Sequence, residues 1–156
     1  MFQEAQRVLQ NGDYAGAVLQ YWKILDINPE HADARHYLGM ALCFQGELPA
    51  GIPHMIASIT LRPMDAIFRN NLGVWLEESG DLAGAEQTLR RALELKPDYR
   101  AARLSLARVQ VRRRRYAQAR DNLQRLLQSA PEDMEARQLL ADALHHLGEH
   151  DAVQRE

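Results

Sequence analysis

The chain has 156 residues, of which 46% are hydrophobic and 26% charged, and its net charge is −2 at pH 7. This composition is typical of a soluble folded protein, and the net charge gives no general attraction to nucleic acid. No run of about 18 apolar residues is present, so no transmembrane helix is expected. Cys43 is the only cysteine, which excludes a disulfide within the chain and favours a reducing compartment, the cytoplasm.

A period of 34 residues runs through the chain. It is carried by prolines, arginines and glycines: Pro29, Pro63, Pro97 and Pro131; Arg35, Arg69, Arg103 and Arg137; and Gly12, Gly46, Gly80 and Gly148, with Arg114 where a further glycine would fall. A single packed core does not require such an interval, whereas a stack of equal units does. We therefore predict one array of repeats: approximately 1–31, 32–65, 66–99, 100–133 and an incomplete 134–156.

The second repeat has two prolines and a pair of glycines. Pro49 suits a first helical turn, but Pro53 is expected to bend the second helix or delay its start, because proline has no N–H to donate. Gly39 and Gly51 fall in the first and second helices. A mid-helix glycine costs about 1 kcal/mol relative to alanine, so this pair indicates two helix backbones in close approach.

The third repeat shows the unit most clearly. Asp65 can cap a first helix, which Gly80 ends, and Asp81 starts a second helix. Pro97 ends that second helix because its ring disfavours helical geometry before it. The apolar face of the first helix follows helical spacing: Phe68, Leu72, Trp75 and Leu76. Each unit is therefore predicted to be two antiparallel helices joined by a short turn.

The fourth repeat carries nine arginines against three acidic residues, a local balance of +6. Four of these arginines are consecutive: Arg112, Arg113, Arg114 and Arg115. They end the first helix, where cations complement the helix dipole. Nucleic-acid binding is not expected, since only Tyr116 accompanies them for base stacking. Arg108 and Arg112 either pair with Glu77 and Glu78 or meet an acidic ligand.

The last repeat, residues 134–156, ends before its second helix is complete. Gly148 is expected to break that helix between His146 and His150, so these histidines would not share a face, and no metal site is predicted. No polar capping helix follows, although repeat arrays normally need one. The chain is therefore either a fragment of a longer protein, which we favour, or self-associates through its uncapped C-terminal end.

In combination these motifs resemble the tetratricopeptide repeat family. The third repeat carries the pattern in full: Leu72, Gly73, Ala85, Leu89, Ala92 and Pro97. The resemblance implies an all-α fold, a right-handed α-solenoid superhelix of about 4.5 antiparallel helix pairs whose first helices line a concave groove. The chain departs from the family at the periodic arginines, which replace an early tryptophan.

That geometry predicts a peptide-binding groove with an apolar floor and polar groups on both sides. The predicted groove residues are His36, Tyr37, Met40, Phe44, Asn70, Asn71, Val74, Glu77, Glu78, Leu104, Ser105, Arg108 and Arg112. Apolar anchors would give affinity to an extended or helical peptide, and polar groups would fix its register. The alternative is that part of this stripe is buried between neighbouring helices.

The predicted function is a protein- or peptide-binding scaffold or adaptor. The sequence contains no catalytic constellation and no Gly-rich phosphate loop, so no enzyme activity, cofactor or metal is predicted. The alternative is a substrate-docking arm of a larger enzyme, because Asn70 and Asn71 resemble the groove asparagines of repeats attached to O-linked N-acetylglucosamine transferases. Only the third repeat has this pair; the positions that match Asn71 elsewhere are Tyr37, Ser105 and Leu139.

Overall fold

The computed structural model describes the backbone of residues 1–155 and the side chains of residues 1–149. This part of the chain contains nine α-helices and no β-strand. The helices are α1 Phe2–Gln10, α2 Tyr14–Ile27, α3 Ala32–Phe44, α4 Leu48–Leu61, α5 Ala66–Ser79, α6 Leu82–Leu95, α7 Arg100–Arg112, α8 Tyr116–Ser129 and α9 Met134–Arg155. Helices α3, α5, α7 and α9 start 34 residues apart, so the sequence period is the period of the helix pairs.

The chain divides into two compact units, Met1–Trp75 and Leu76–Glu156. In the first unit α1 packs on α2, α2 on α3, and α3 on α4. In the second unit α6 packs on α7, α7 on α8, and α8 on α9. Within each unit, helices that follow one another in the chain therefore bury their apolar faces against each other. Tyr21 and Leu38 lie at the centre of the first core, and Leu123 and Leu126 at the centre of the second.

The predicted helix boundaries of the third repeat are confirmed. Asp65 Oδ1 accepts a hydrogen bond from the Phe68 backbone N–H at 3.0 Å, which caps α5. Gly80 has a φ of +89°, the left-handed conformation that ends α5. Asp81 then caps α6 by accepting from the Gly84 backbone N–H at 2.9 Å. The turn between two helices is thus set by a glycine followed directly by a capping aspartate.

The periodic arginines and prolines are linked by one recurring hydrogen bond. In three of the four pairs the guanidinium donates to the proline carbonyl six residues earlier: Arg35 to Pro29 at 2.8 Å, Arg69 to Pro63 at 3.0 Å, and Arg103 to Pro97 at 2.9 Å. This bond ties the loop between repeats to the first helix that follows it. A backbone carbonyl in a loop gains a partner in this way, which explains why the two residues keep the same interval.

Helices α3 and α4 cross closely at Gly39 and Gly51, as predicted. A Cβ atom on Gly39 would lie 2.7 Å from the Gly51 carbonyl oxygen, and one on Gly51 would lie 2.5 Å from the Gly39 carbonyl oxygen. Backbone atoms cannot move aside cheaply at such a crossing. The crossing therefore requires glycine at both positions. The close packing of α3 on α4 offsets the conformational cost of two glycines inside helices.

We expect Gly39→Ala to lower the free energy of unfolding by about 1–3 kcal/mol, because the added methyl group forces α3 and α4 apart. Urea denaturation measures this change. Gly148→Ala is the control, since a Cβ at Gly148 in α9 meets nothing within 4 Å. It should instead stabilise by about 0.5–1 kcal/mol. Equal stability of the Gly39 variant and the native protein would contradict the close crossing.

Arg114 stands in the turn between α7 and α8, where the other turns have glycine. Its φ is +59°, in the left-handed region, like Gly12, Gly46 and Gly80 at the matching positions. A residue with a Cβ is disfavoured there by about 1–2 kcal/mol. The fourth repeat thus keeps the turn conformation that the period demands although the glycine is missing.

Arg114→Gly is expected to raise the free energy of unfolding by about 0.5–1 kcal/mol, because glycine adopts positive φ without steric cost. The same substitution at Gln124, an exposed residue inside α8, should lower stability by about 1 kcal/mol. Opposite signs of the two changes in thermal or urea unfolding would confirm the strained turn. A loss of stability in both variants would refute it.

Two expectations about helix interruption are wrong: the delayed start of α4 at Pro53 and the break of the last helix at Gly148. Helix α4 begins at Leu48 and continues through Pro53, so the proline does not delay the helix. Pro49 lies in the first turn, as predicted. Helix α9 continues through Gly148, so the glycine does not break it, and the backbone separates His146 and His150 by one turn of a single helix. The His150 side chain lies outside the described residues.

Candidate functional site

Nine of the predicted groove residues reach the surface of the first helices, five of them in the first unit. The first-unit set, which we call the N-terminal surface, consists of Tyr37, Met40, Phe44, Asn71 and Val74. Phe44 is 45% exposed and the other four are half-buried. The Phe44 ring lies 5.1 Å from the Trp75 ring, edge to face. This surface is apolar and aromatic except for the Asn71 amide.

A buried hydrogen-bond chain supports Asn71 from below. The Ser58 hydroxyl donates to the Met55 carbonyl oxygen at 2.6 Å, so Ser58 Oγ is left to accept from His36 Nδ1 at 3.2 Å. His36 Nε2 is then the acceptor, and it receives the Asn71 Nδ2–H at 3.1 Å. The second hydrogen on Asn71 Nδ2 points to Met40 Sδ at 3.7 Å. These contacts leave Asn71 Oδ1 as an acceptor without a partner among the described residues.

His36 is neutral in this arrangement. Its side chain is fully buried and stacks on the Phe68 ring with 4.0 Å between the centroids. Burial lowers the pKa of His36 to about 4, although the charges of Asp65 and Asp33 oppose the shift. The neutral imidazole can both donate and accept, whereas the protonated ring could only donate. The Asn71 contact therefore depends on the neutral form.

Stability should fall as the pH is lowered from 6.5 to about 4. In this window the unfolded chain binds a proton at His36 that the folded protein does not bind, so acid favours unfolding, by on the order of 2–3 kcal/mol in total. Urea denaturation at several pH values measures the effect. His36→Gln, whose amide can still donate and accept, should remove this part of the pH dependence. An unchanged pH profile in the variant would assign the effect elsewhere.

The remaining four predicted residues at the surface form the C-terminal surface of the second unit: Glu78, Leu104, Arg108 and Arg112. It differs from the N-terminal surface in being highly charged. Arg108 Nε donates to both carboxylate oxygens of Glu77 at 3.0 Å, and its Nη1 donates to Glu135 at 2.8 Å. Arg112 Nη1 donates to the same Glu77 carboxylate at 3.3 Å. The predicted pairing of these arginines with Glu77 is thus confirmed.

Four predicted groove residues are buried and do not reach the surface: His36, Asn70, Glu77 and Ser105. The sequence pattern predicted that these four residues line the groove, whereas the structure buries them in the interior. His36 and Glu77 orient Asn71, Arg108 and Arg112 from beneath. Asn70 differs from them, because its Oδ1 atom is buried without a hydrogen-bond partner in the described part of the chain.

The arginine run at the end of α7 is largely neutralised within the second unit. Glu86, which is 1% exposed, accepts hydrogen bonds from Arg113, from Arg115 at 3.2 Å and from Arg90 at 2.7 Å. Burial raises the pKa of Glu86, but the hydrogen bonds of Arg90 and Arg113 and the charge of Arg115 outweigh it and lower the pKa overall. Sequence reasoning missed Glu86. Its signal was an acidic residue beside Ala85 on the apolar face of α6.

We expect Glu77→Gln to lower the free energy of unfolding by about 1–3 kcal/mol, because Arg112 loses its carboxylate partner and Arg108 keeps only Glu135. Glu78→Gln is the matched control, since Glu78 is the exposed neighbour on the same helix. It should change stability by less than about 0.5 kcal/mol. Urea denaturation of both variants compares them, and similar losses would show that the Glu77 cluster contributes nothing specific.

The described residues contain no group of three or more histidines, cysteines or acidic residues arranged to hold a metal ion. In the same part of the chain no helix has the length and apolar character needed to cross a membrane. Cys43 is buried, and burial raises the pKa of its thiol to about 11. A thiol of that kind is not an activated nucleophile, so Cys43 packs in the core.

Comparison with protein families identifies the fold. Two family models, both described as tetratricopeptide repeat, match residues 41–100 and residues 76–141. The chain belongs to the tetratricopeptide repeat family. The predicted resemblance is therefore confirmed, and the helix pairs described above are tetratricopeptide repeats. No curated protein matches the chain by sequence.

Several solved structures superimpose on most of the chain. MamA matches 94% of this chain and 86% of its own, with 22% identity and a TM-score of 0.86. PilF from Pseudomonas aeruginosa matches 98% of this chain and 70% of its own, with 23% identity and a TM-score of 0.84. An O-GlcNAc transferase mutant from Thermobaculum terrenum matches 80% of this chain but 24% of its own, with 24% identity and a TM-score of 0.72. At these identities the likeness shows the fold alone.

Proposed function

We propose that the chain is a protein-binding scaffold that holds a peptide segment against the first helices of its repeats. The observation that carries this proposal is the preorganisation of polar surface groups by buried partners. Asn71 is held by His36, and Arg108 is held by Glu77. A side chain whose rotamer is already fixed loses little entropy when it binds a ligand. Fixed groups of this kind suit recognition better than freely moving surface residues.

The two surfaces suit ligand groups of different chemistry. The N-terminal surface offers apolar anchoring against Phe44, Met40 and Val74, together with the Oδ1 acceptor of Asn71 for a peptide N–H. The C-terminal surface offers guanidinium donors at Arg108 and Arg112 for carbonyl or carboxylate groups. We infer that the first unit binds an extended or helical peptide through apolar side chains, and that the second unit binds polar or acidic peptide groups.

The alternative role, a substrate-docking arm of a larger enzyme, has narrower support. Asn71 is the one asparagine of the Asn70–Asn71 pair that reaches the surface, since Asn70 is buried. Tyr37 and Ser105 occupy the matching positions in the adjacent repeats, so no asparagine ladder is formed. The O-GlcNAc transferase likeness is a likeness of fold. The protein-binding scaffold is therefore the better-supported proposal.

Peptide selection from a random displayed library provides the test. Selected peptides should bind the native protein saturably, as measured by fluorescence anisotropy. Phe44→Ser is expected to weaken their binding by about tenfold or more. The bound peptide would bury the Phe44 ring, and truncating an aromatic anchor of that kind costs at least about 1.4 kcal/mol of binding free energy. Phe44 is a suitable probe because its exposure allows substitution without emptying the core.

Ile56→Ser is the matched control for this test. Ile56 is 49% exposed, close to the 45% of Phe44, and lies in the same repeat on the second helix, α4. Its substitution removes a similar apolar area and should leave peptide affinity within about twofold of the native value. Loss of affinity in the Ile56 variant with normal affinity in the Phe44 variant would move the binding surface to the second helices and contradict the proposal.

A further inference from the structure

A small polar cavity in the second unit contains donors that have no acceptor. Its volume is about 280 Å³, and it lies among α6, α7 and α8. The lining residues are Arg90, Gln110, Gln118, Asp121, Asn122 and Arg125. None of them belongs to the N-terminal or C-terminal surface. The cavity is therefore separate from the peptide site proposed above.

The amide groups of this cavity are oriented by a hydrogen-bond chain with a fixed direction. Arg103 can only donate, and its Nη1 donates to Asn122 Oδ1 at 3.0 Å. Asn122 must then present its Nδ2 group on the other side, where it donates to Gln110 Oε1 at 2.8 Å. Because Gln110 accepts this bond at Oε1, its nitrogen, Nε2, remains available as a donor. Among the described residues nothing accepts a hydrogen bond from Gln110 Nε2, although the side chain is only 1% exposed.

The charges around the cavity favour an acceptor that is negative. Arg125 lines the cavity and has no carboxylate partner in the described part of the chain, and Arg103 is bound only to the neutral oxygens of Asn122 and Pro97. Burial, and then the charge of Arg125, lowers the pKa of Arg103. Two guanidinium groups therefore act on each other without an acidic residue between them to neutralise them.

Two of the lining residues are already neutralised by their neighbours. Asp121 is the one acidic residue of the lining, and it is paired with Arg120 at 3.0 Å. Arg90 is paired with Glu86 and also donates to Gln118 Oε1 at 3.2 Å. The lining groups without a partner in the described part of the chain are thus the Arg125 guanidinium and the amide nitrogens of Gln110 and Gln118, all of which are donors.

We propose that this cavity binds a small oxyanion, a phosphate or carboxylate group, held by the Arg125 guanidinium and Gln110 Nε2. Oxygen atoms of such a group would supply the missing acceptors, and the negative charge would balance Arg103 and Arg125. A guanidinium and an amide N–H2 are both suited to two oxygens of one anion. The volume limits the bound group to a small ion or the anionic end of a larger molecule.

The test is a titration of the native protein with sodium phosphate, and separately with sodium acetate, at constant ionic strength. Two-dimensional NMR follows the side-chain amide signals of Gln110 and Asn122 and the Arg125 guanidinium signal. We expect saturable shifts of these signals with at least one of the two anions. Tighter binding of phosphate would assign a tetrahedral phosphate group as the ligand, and tighter binding of acetate would assign a carboxylate.

Three variants make the result specific. Arg125→Gln should weaken anion binding by about tenfold or more. Gln110→Glu keeps an acceptor for Asn122 but replaces the free donor by an oxygen, and should abolish binding. Arg100→Gln removes the same charge from an exposed residue outside the cavity and should bind like the native protein. Circular dichroism confirms that each variant is folded.

Two outcomes would overturn the proposal. The first is the absence of any saturable shift in the native protein with either anion. The second is an equal loss of binding in Arg125→Gln and Arg100→Gln, because that pattern would reflect general attraction of anions to a basic helix. Peptide binding at the first helices would stand in either case, since the cavity shares no residue with those surfaces.

Discussion

The pairing of two buried side chains, His36 and Glu77, arranges the polar groups on both surfaces of the first helices. A buried carboxylate or imidazole without partners would cost several kcal/mol. Glu77 meets that requirement through Arg108 and Arg112, and His36 meets it through Ser58 and Asn71. In each case at least one partner reaches the surface: Arg108 and Arg112 for Glu77, and Asn71 for His36. The need to satisfy an interior group therefore fixes the groups that a ligand would meet.

The same requirement accounts for the uneven charge of the chain. The fourth repeat has a local balance of +6, a value that in isolation favours an acidic partner. Three arginines of its continuous run donate to carboxylates of the third repeat, Arg112 to Glu77 and both Arg113 and Arg115 to Glu86. The basic run is thus chiefly an internal contact between repeats. Arg114, the remaining member, instead occupies the turn conformation reserved elsewhere for glycine.

The helix pairs could be predicted from the sequence because their signals are local and repeated. Gly80 and Asp81 define a turn by backbone conformation and capping, and each is read from a few neighbouring residues. The delayed helix start predicted at Pro53 is wrong because a proline early in a helix costs the helix few backbone hydrogen bonds, and α4 continues through it. Gly148 was misread because a glycine permits a turn but does not impose one, and α9 stays helical there.

The site could be predicted only in part, because burial depends on contacts between repeats. Helical spacing predicted that Asn71 and Arg108 reach the surface of the first helices, and the structure finds both half-buried there. The same spacing could not separate His36 and Glu77, which are buried, from their exposed neighbours Tyr37 and Glu78. That distinction arises from residues about 20 to 35 positions away, such as Ser58 and Arg112. A single helical pattern contains no information about them.

The most direct test of the account is NMR mapping of a library-selected peptide on the isotope-labelled native protein. We predict that the largest shifts occur in the first helices, at Met40 and Asn71 for a peptide bound to the first unit and at Arg108 for one bound to the second. For a peptide on the first unit we also predict intermolecular contacts between apolar peptide protons and the Phe44 ring. Shifts and contacts confined to the second helices α4, α6 and α8 would contradict the account.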